Sequence, residues 1–154
     1  MIDWSEVEDT KIGRVAEHIA ETFFLSNGFD VYSTDSDDKW IDFIAVYHDV
    51  NYNIQVKSCR DDNYQYVRDS KFNKVNNYFV FFVRFTENEI PELYMFKGDE
   101  WEEKKPLLVV RNYNENQKSE PEHGINVGSQ IKEAKILAES DAQKWVDEVK
   151  NQYA

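Results

Sequence analysis

Apolar residues recur at helical spacing early in the chain, where Ile12, Val15, Ala16, Ile19 and Phe23 fall on one face and the run stops at Gly28. Ser5, followed three residues later by Glu8, has the form of a capping box ahead of that run. The pattern predicts a long amphipathic helix closed by a glycine, with Arg14, Glu17 and Glu21 on its polar face. After Gly28 the period changes. Residues 29–33 read as a short strand and 33–39 as a polar turn. Residues 41–47 (IDFIAVY) and 52–58 (YNIQVKS) then read as two strands of a hairpin joined through 48–51. In the second of these, Ile54 and Val56 alternate with Gln55 and Lys57. The two polar side chains therefore share a face while the apolar pair enters the core.

Residues 59–77 are polar and irregular, with Tyr64, Tyr66 and Val67 marking a short strand and 71–76 a helical turn. The segment YFVFFVRF at 78–85 is apolar on both faces, which predicts a central strand, and ELYMF at 92–96 returns after a loop holding Pro91. A further apolar run at 107–111 precedes a polar stretch to about Gly128 that reads as a surface loop. Beyond it Ile131, Ile136, Leu137, Trp145 and Val149 mark helical material broken near Ser140, where Ser140 and Gln143 have the spacing of a helix start. Neither a repeat nor a shift in composition divides the 154 residues, so one domain over 1–154 is expected. Its motif core lies at 10–60, with further strands and helices at 78–154.

Composition changes this picture in two ways. Cys59 is the one cysteine, which removes an intramolecular disulfide and a cysteine-based zinc site from consideration. His18, His48 and His123 stand apart from one another and read as surface or core-edge residues. Neither a leader-like N-terminus nor an apolar run long enough to span a bilayer is present in the sequence, and a cytoplasmic protein is the expectation. The net charge of −12 opposes a nucleic-acid partner. Between positions 57 and 84, however, six basic residues face three acidic ones, a local +3 that describes a basic stripe on an acidic body.

A helix followed by a hairpin can gather Glu17, Asp42, Gln55 and Lys57 at one end of a sheet. Carboxylate and amide oxygens suit a hard cation such as Mg²⁺ or Mn²⁺, which takes few protein ligands and bridges to phosphate. Lys57 has two candidate roles. As an ammonium it would stabilise charge on a phosphate; as a base it would need a depressed pKa, which two neighbouring carboxylates oppose. The ammonium role is the expectation. Each residue also has a plainer reading as solvated surface charge. Glu21, one turn on, is an alternative to Glu17, and Asp37 and Asp38 compete with Asp42 from within a polar turn.

Quoted as they stand, AEHIAETFFLSNGFDVY, KWIDFIAV and NIQVKS resemble the PD-(D/E)XK phosphodiesterase superfamily across about Thr10 to Ser58. The likeness is greatest to archaeal Holliday-junction resolvases and to group I intron homing endonucleases of that superfamily, the latter also carrying Gln at the second acidic position. YFVFFVRF, IPELYMF and PEHGINV are more loosely similar to uncharacterised bacterial PD-(D/E)XK-like proteins. The resemblance implies an α/β (α+β) fold with a restriction-endonuclease-like three-layer core, a mixed central β-sheet flanked by helices. It implies Glu17 as the helix acid, Asp42 as the metal-bridging aspartate, Gln55 as the second metal ligand and Lys57 as the lysine. Ile41 stands where the motif has proline, and Gln55 removes one negative charge from the metal ligands. Arg60, Lys71 and Lys74 follow the motif as candidate phosphate contacts, with ordinary surface charge the alternative. Tyr64, Tyr66 and Phe72 read as core packing sooner than base stacking.

The implied activity is metal-dependent endonucleolytic hydrolysis of DNA, with a homodimer the assembly that cutting two strands favours. A nuclease-like module that binds nucleic acid or protein without turnover is the alternative, motivated by Gln55 and the charge. An acidic interaction factor comes third.

Overall fold

The computed structural model describes residues 2–34, 40–72, 76–113, 119–127 and 131–154. Lys74, Asp37 and Asp38 lie outside them. The predicted first helix is α1, Asp9–Ser26. Its cap differs from the expectation: Ser5 belongs to a 3-10 turn, Trp4–Glu6, capped by Asp3, and Glu8 is the N-cap of α1 without a side-chain hydrogen bond. The far end is as expected. Gly28 takes φ +85, a conformation that costs glycine little, and its N–H reaches the Leu25 carbonyl at 3.0 Å.

Strands β1 (Asp30–Ser33), β2 (Phe43–Tyr47), β3 (Val50–Arg60), β5 (Tyr78–Phe85) and β6 (Glu92–Lys97) form a mixed sheet in the order β1-β2-β3-β5-β6. All its pairs are antiparallel except β3 with β5. The β2–β3 hairpin turns on two residues, His48 and Asp49, both at positive φ, the backbone that matches the twist of paired strands. The parallel β3–β5 step needs a crossover. That crossover carries β4 (Gln65–Arg68) and a 3-10 turn, Asp69–Lys71.

Two cores lie on opposite faces of the sheet. On one, Ala16, Ala20 and Phe24 of α1 and Val146 and Val149 of α3 (Ala142–Asn151) pack on Phe43, Ile54, Phe79 and Phe81. On the other, Val80, Phe82 and Phe96 meet Val67, Leu108 and Ile125 of a second, three-stranded sheet, β4-β8-β7, and Leu137 of α2 (Ile131–Glu139). The α+β architecture thus agrees with expectation, and much of the second flanking layer is itself a sheet. β7 is Leu108–Arg111 and β8 is Glu122–Ile125. The polar stretch read as surface loop therefore contains the middle strand of that sheet.

Gly124 makes β8 possible, because a Cβ there would stand 2.1 Å from the Tyr64 hydroxyl oxygen. The Tyr64 ring lies under Arg111 and its hydroxyl donates to Glu122 at 2.9 Å, so it is held in place. The helix break falls at Ser140 as expected, but Asp141 supplies the cap, accepting from the Lys144 N–H at 3.1 Å. Ser140 instead gives its carbonyl to the Met95 N–H at 2.9 Å, and Asp141 bridges to Tyr94 on β6. His123 is a core-edge residue, stacked on Phe72 and 3.1 Å from Asp69, whereas His48 is exposed and stacks on Tyr153. No helix among the described residues is long and apolar enough to cross a membrane.

Two outcomes follow from this packing. Gly124→Ala should destabilise the protein by about 1–3 kcal/mol, and pairing it with Tyr64→Ala should cost less than the two changes summed, as read by urea denaturation. Cys59 is buried at 2% exposure, and burial pushes its thiol up to about 12. Ellman's reagent at neutral pH should therefore label Cys59 only as the chain unfolds.

Candidate active site

The candidate residues lie where β3 outruns its neighbour. β2 has five residues and β3 eleven, and the last ladder pair at this end is Phe43 with Ile54. One residue before β2, the Asp42 N–H donates to the Ile54 carbonyl at 2.8 Å, and its Oδ2 accepts the Val56 N–H at 2.6 Å. The carboxylate thus takes a strand donor that β2 ends too soon to pair, and an unpaired donor there would be costly. This explains an aspartate at the mouth of an apolar strand without invoking function, so any chemistry rests on the surroundings.

Those surroundings are acidic on the helix side and basic on the strand side. Glu17 has its pKa raised, first by desolvation and then by the charges of Asp42 and Glu21. Asp42 is also raised, chiefly by desolvation, although the Val56 hydrogen bond and Lys57 oppose this and part of its surface remains exposed. Glu21 acts on both, so the two helix acids face the same place. Lys57 departs from expectation: its pKa is lowered, because desolvation outweighs Asp42, the one carboxylate that raises it, and Lys71 adds to the lowering.

Gln55, 6% exposed, projects from the same face of β3 as Lys57. Its amide lies against the Tyr78 hydroxyl. The orientation that satisfies its surroundings points NH₂ at the carbonyls of Trp40 and Lys71, at 3.2 and 3.3 Å, and turns Oε1 the other way. A buried amide held from one side keeps its oxygen as a fixed acceptor. Among the described residues no three His, Cys, Asp or Glu side chains gather as a metal cluster. The carboxylates of Glu17 and Asp42 and an amide oxygen are nevertheless the donors that suit a hard cation, whose charge would offset the carboxylate repulsion that adds to the rise at Glu17.

The basic stripe is less open than its composition suggests. Arg60 donates to the carbonyls of Trp4 (2.8 Å) and Val7 (2.6 Å) and to Asp9, tying the entry of α1 to β3. Its guanidinium is occupied within the protein, which argues against the phosphate contact expected of it. Arg84 is likewise engaged, bidentate to Asp62 at 2.7 and 2.9 Å and 3.3 Å from Glu92. Lys71 remains at the site, its ammonium 4.4 Å from the centre of the exposed Trp40 ring. No sequence signal marked Trp40 or Tyr78, and both touch Gln55.

No family model matches the chain, and no curated protein is similar to it in sequence. Among solved structures it is similar to the Holliday junction resolvase Hjc of Archaeoglobus fulgidus, with a TM-score of 0.55 and 10% identity over 88% of this chain and 96% of that one. It is also similar to the bacterial homing endonuclease I-Ssp6803I, with a TM-score of 0.53 and 16% identity over 95% of this chain and 97% of the other. The chain shares the overall fold of these two nucleases.

Desolvated carboxylates make a stability prediction. A carboxyl whose folded pKa is raised favours folding at low pH and loses that contribution as pH rises through its folded pKa. Asp42→Asn keeps an oxygen for the Val56 N–H and removes the charge. At neutral pH it should raise the Tm of metal-free protein by about 2–4 °C at most, and the gain should vanish in acid, as measured by scanning calorimetry across pH.

Proposed function

We propose that the protein is a metal-dependent endonuclease that hydrolyses DNA phosphodiester bonds. What supports this reading is Asp42, held at the open end of β3 by the Val56 N–H at 2.6 Å, with the charge of Lys57 acting on it and its own charge acting on Glu17, on a fold shared with two nucleases. Glu17, Asp42 and Gln55 Oε1 would hold Mg²⁺ or Mn²⁺. Such a cation supplies a lower pKa for bound water and polarises a phosphoryl oxygen. Lys57 acts as an ammonium: shed of part of its hydration and offset by one carboxylate, it gains more from a phosphate oxygen than a fully solvated lysine would. Lys71 steers the strand from beside Trp40, and Gln55 is oriented by Tyr78 and the Trp40 carbonyl. Arg60 serves as a strut.

The test is cleavage of supercoiled, linear and branched DNA with Mg²⁺ or Mn²⁺. Asp42→Asn and Lys57→Ala should each lower the rate by about 10²–10³-fold; a protein that cuts none of these, or variants that match the parent, would end the reading. Activity should fall on the alkaline side through a pKa below the ordinary lysine value of about 10.4, and Lys57→Arg should carry that limb out of range.

A second reading, a nuclease-like module that binds without turnover, is favoured by the glutamine at position 55 and by the lack of a three-acid cluster among the described residues. Titration calorimetry separates the two, since absent Mn²⁺ binding with intact DNA binding selects the module.

A further inference from the structure

A glycine inside a helix weakens it relative to alanine, so Gly13, one turn into α1, calls for a compensating reason. Backbone geometry gives none, because Gly28 is the one described glycine at positive φ. Packing gives none either: a Cβ at Gly13 would meet nothing within 4 Å, in contrast to Gly98 and Gly124, where it would collide with a tyrosine. The space beside Gly13 is a cleft of about 390 Å³, with Ile12 and Gly13 on the helix side and Lys57, Ser58, Asn63 and Gln65 on the other. Among the described residues, none makes a hydrogen bond to the side chains of Ser58, Asn63 or Gln65. Lys57 of the candidate active site thus also borders this cleft, which carries uncharged hydrogen-bonding groups on a chain of net charge −12. Its charged members besides Lys57 are Asp9 and Arg60, which are paired with each other.

We infer that Gly13 is a clearance position, and that this cleft receives the sugar-phosphate backbone of the nucleic-acid strand whose phosphate Lys57 contacts. The inference rests on the nucleic-acid part of the reading above. A bare helix backbone lets a strand approach more closely than any side chain would, and Ser58, Asn63 and Gln65 offer it polar partners without a repelling charge. Neutral contacts of this kind add affinity without adding counterion release.

The assignment predicts that stability and binding change in opposite directions. Gly13→Ala should raise Tm by about 2–4 °C. Its affinity for a fluorescein-labelled duplex and a labelled four-way junction, followed by anisotropy in Ca²⁺, should fall by about five- to tenfold. Gly13→Leu should fall further. The slope of log affinity against log salt should stay at the parent value for both, whereas Lys57→Ala should flatten it. Thr22→Ala, at an exposed position of α1 outside the cleft, should match the parent in affinity. The inference is overturned if Gly13→Ala and Gly13→Leu both bind within twofold of the parent, or if the parent binds neither DNA. DNA that is bound but never cut, with binding weakened at Gly13, would sink the catalytic reading and uphold the cleft. Cleavage with binding indifferent to Gly13 would do the reverse.

Discussion

The site depends on a mismatch of strand lengths. β3 runs beyond the end of β2, and the Val56 amide that this leaves unpaired is taken by the carboxylate of Asp42. That hydrogen bond fixes an aspartate beside β3 and within reach of the charges on α1 and Lys57. Elements on both faces of the sheet then converge on it: α1 brings Glu17 and Glu21 from one side, and the crossover brings Lys71 from the other. A carboxylate that closes a ladder is held by backbone, so its position tolerates the repulsion of neighbouring acids. The resulting strain is electrostatic, and a cation is what would relieve it.

The parts of the fold legible in the sequence are those with long or unambiguous periodicity. α1 shows five apolar positions on one face, and the segment Tyr78–Phe85 is buried on both sides, as a central strand must be. β8 escaped notice because four residues, two of them polar and one a glycine, carry no period, and its reason for existing is the ring of Tyr64. The Ser5 and Glu8 pairing was misleading for a similar reason: Ser5 is bonded to Asp3, which a four-residue motif beginning at Ser5 does not see. Asp141 caps α3 one residue after the expected start, leaving Ser140 to bond to β6.

At the site, strand alternation was enough to place Gln55 and Lys57 on one face, and the position of Asp42 before an apolar run was enough to single it out. Charges behave differently. Arg60 follows the motif and looks free on paper, yet its acceptors are carbonyls more than fifty residues earlier in the chain. The direction of the Lys57 shift was likewise hidden, since counting nearby carboxylates omits the burial that dominates it. Composition gave a stripe of +3, whereas the fold ties Arg60 and Arg84 to acids and, among the described lysines, keeps Lys57 and Lys71 beside each other near Asp42.

The junction of α2 and α3 also shapes how the molecule meets copies of itself. β6 is an outer strand of the main sheet, and its amide at Met95 would present an open donor to any passing β-strand. The Ser140 carbonyl and the Asp141 bridge occupy that margin. A chain truncated ahead of Ser140 would therefore lose a helix and also acquire an adhesive border.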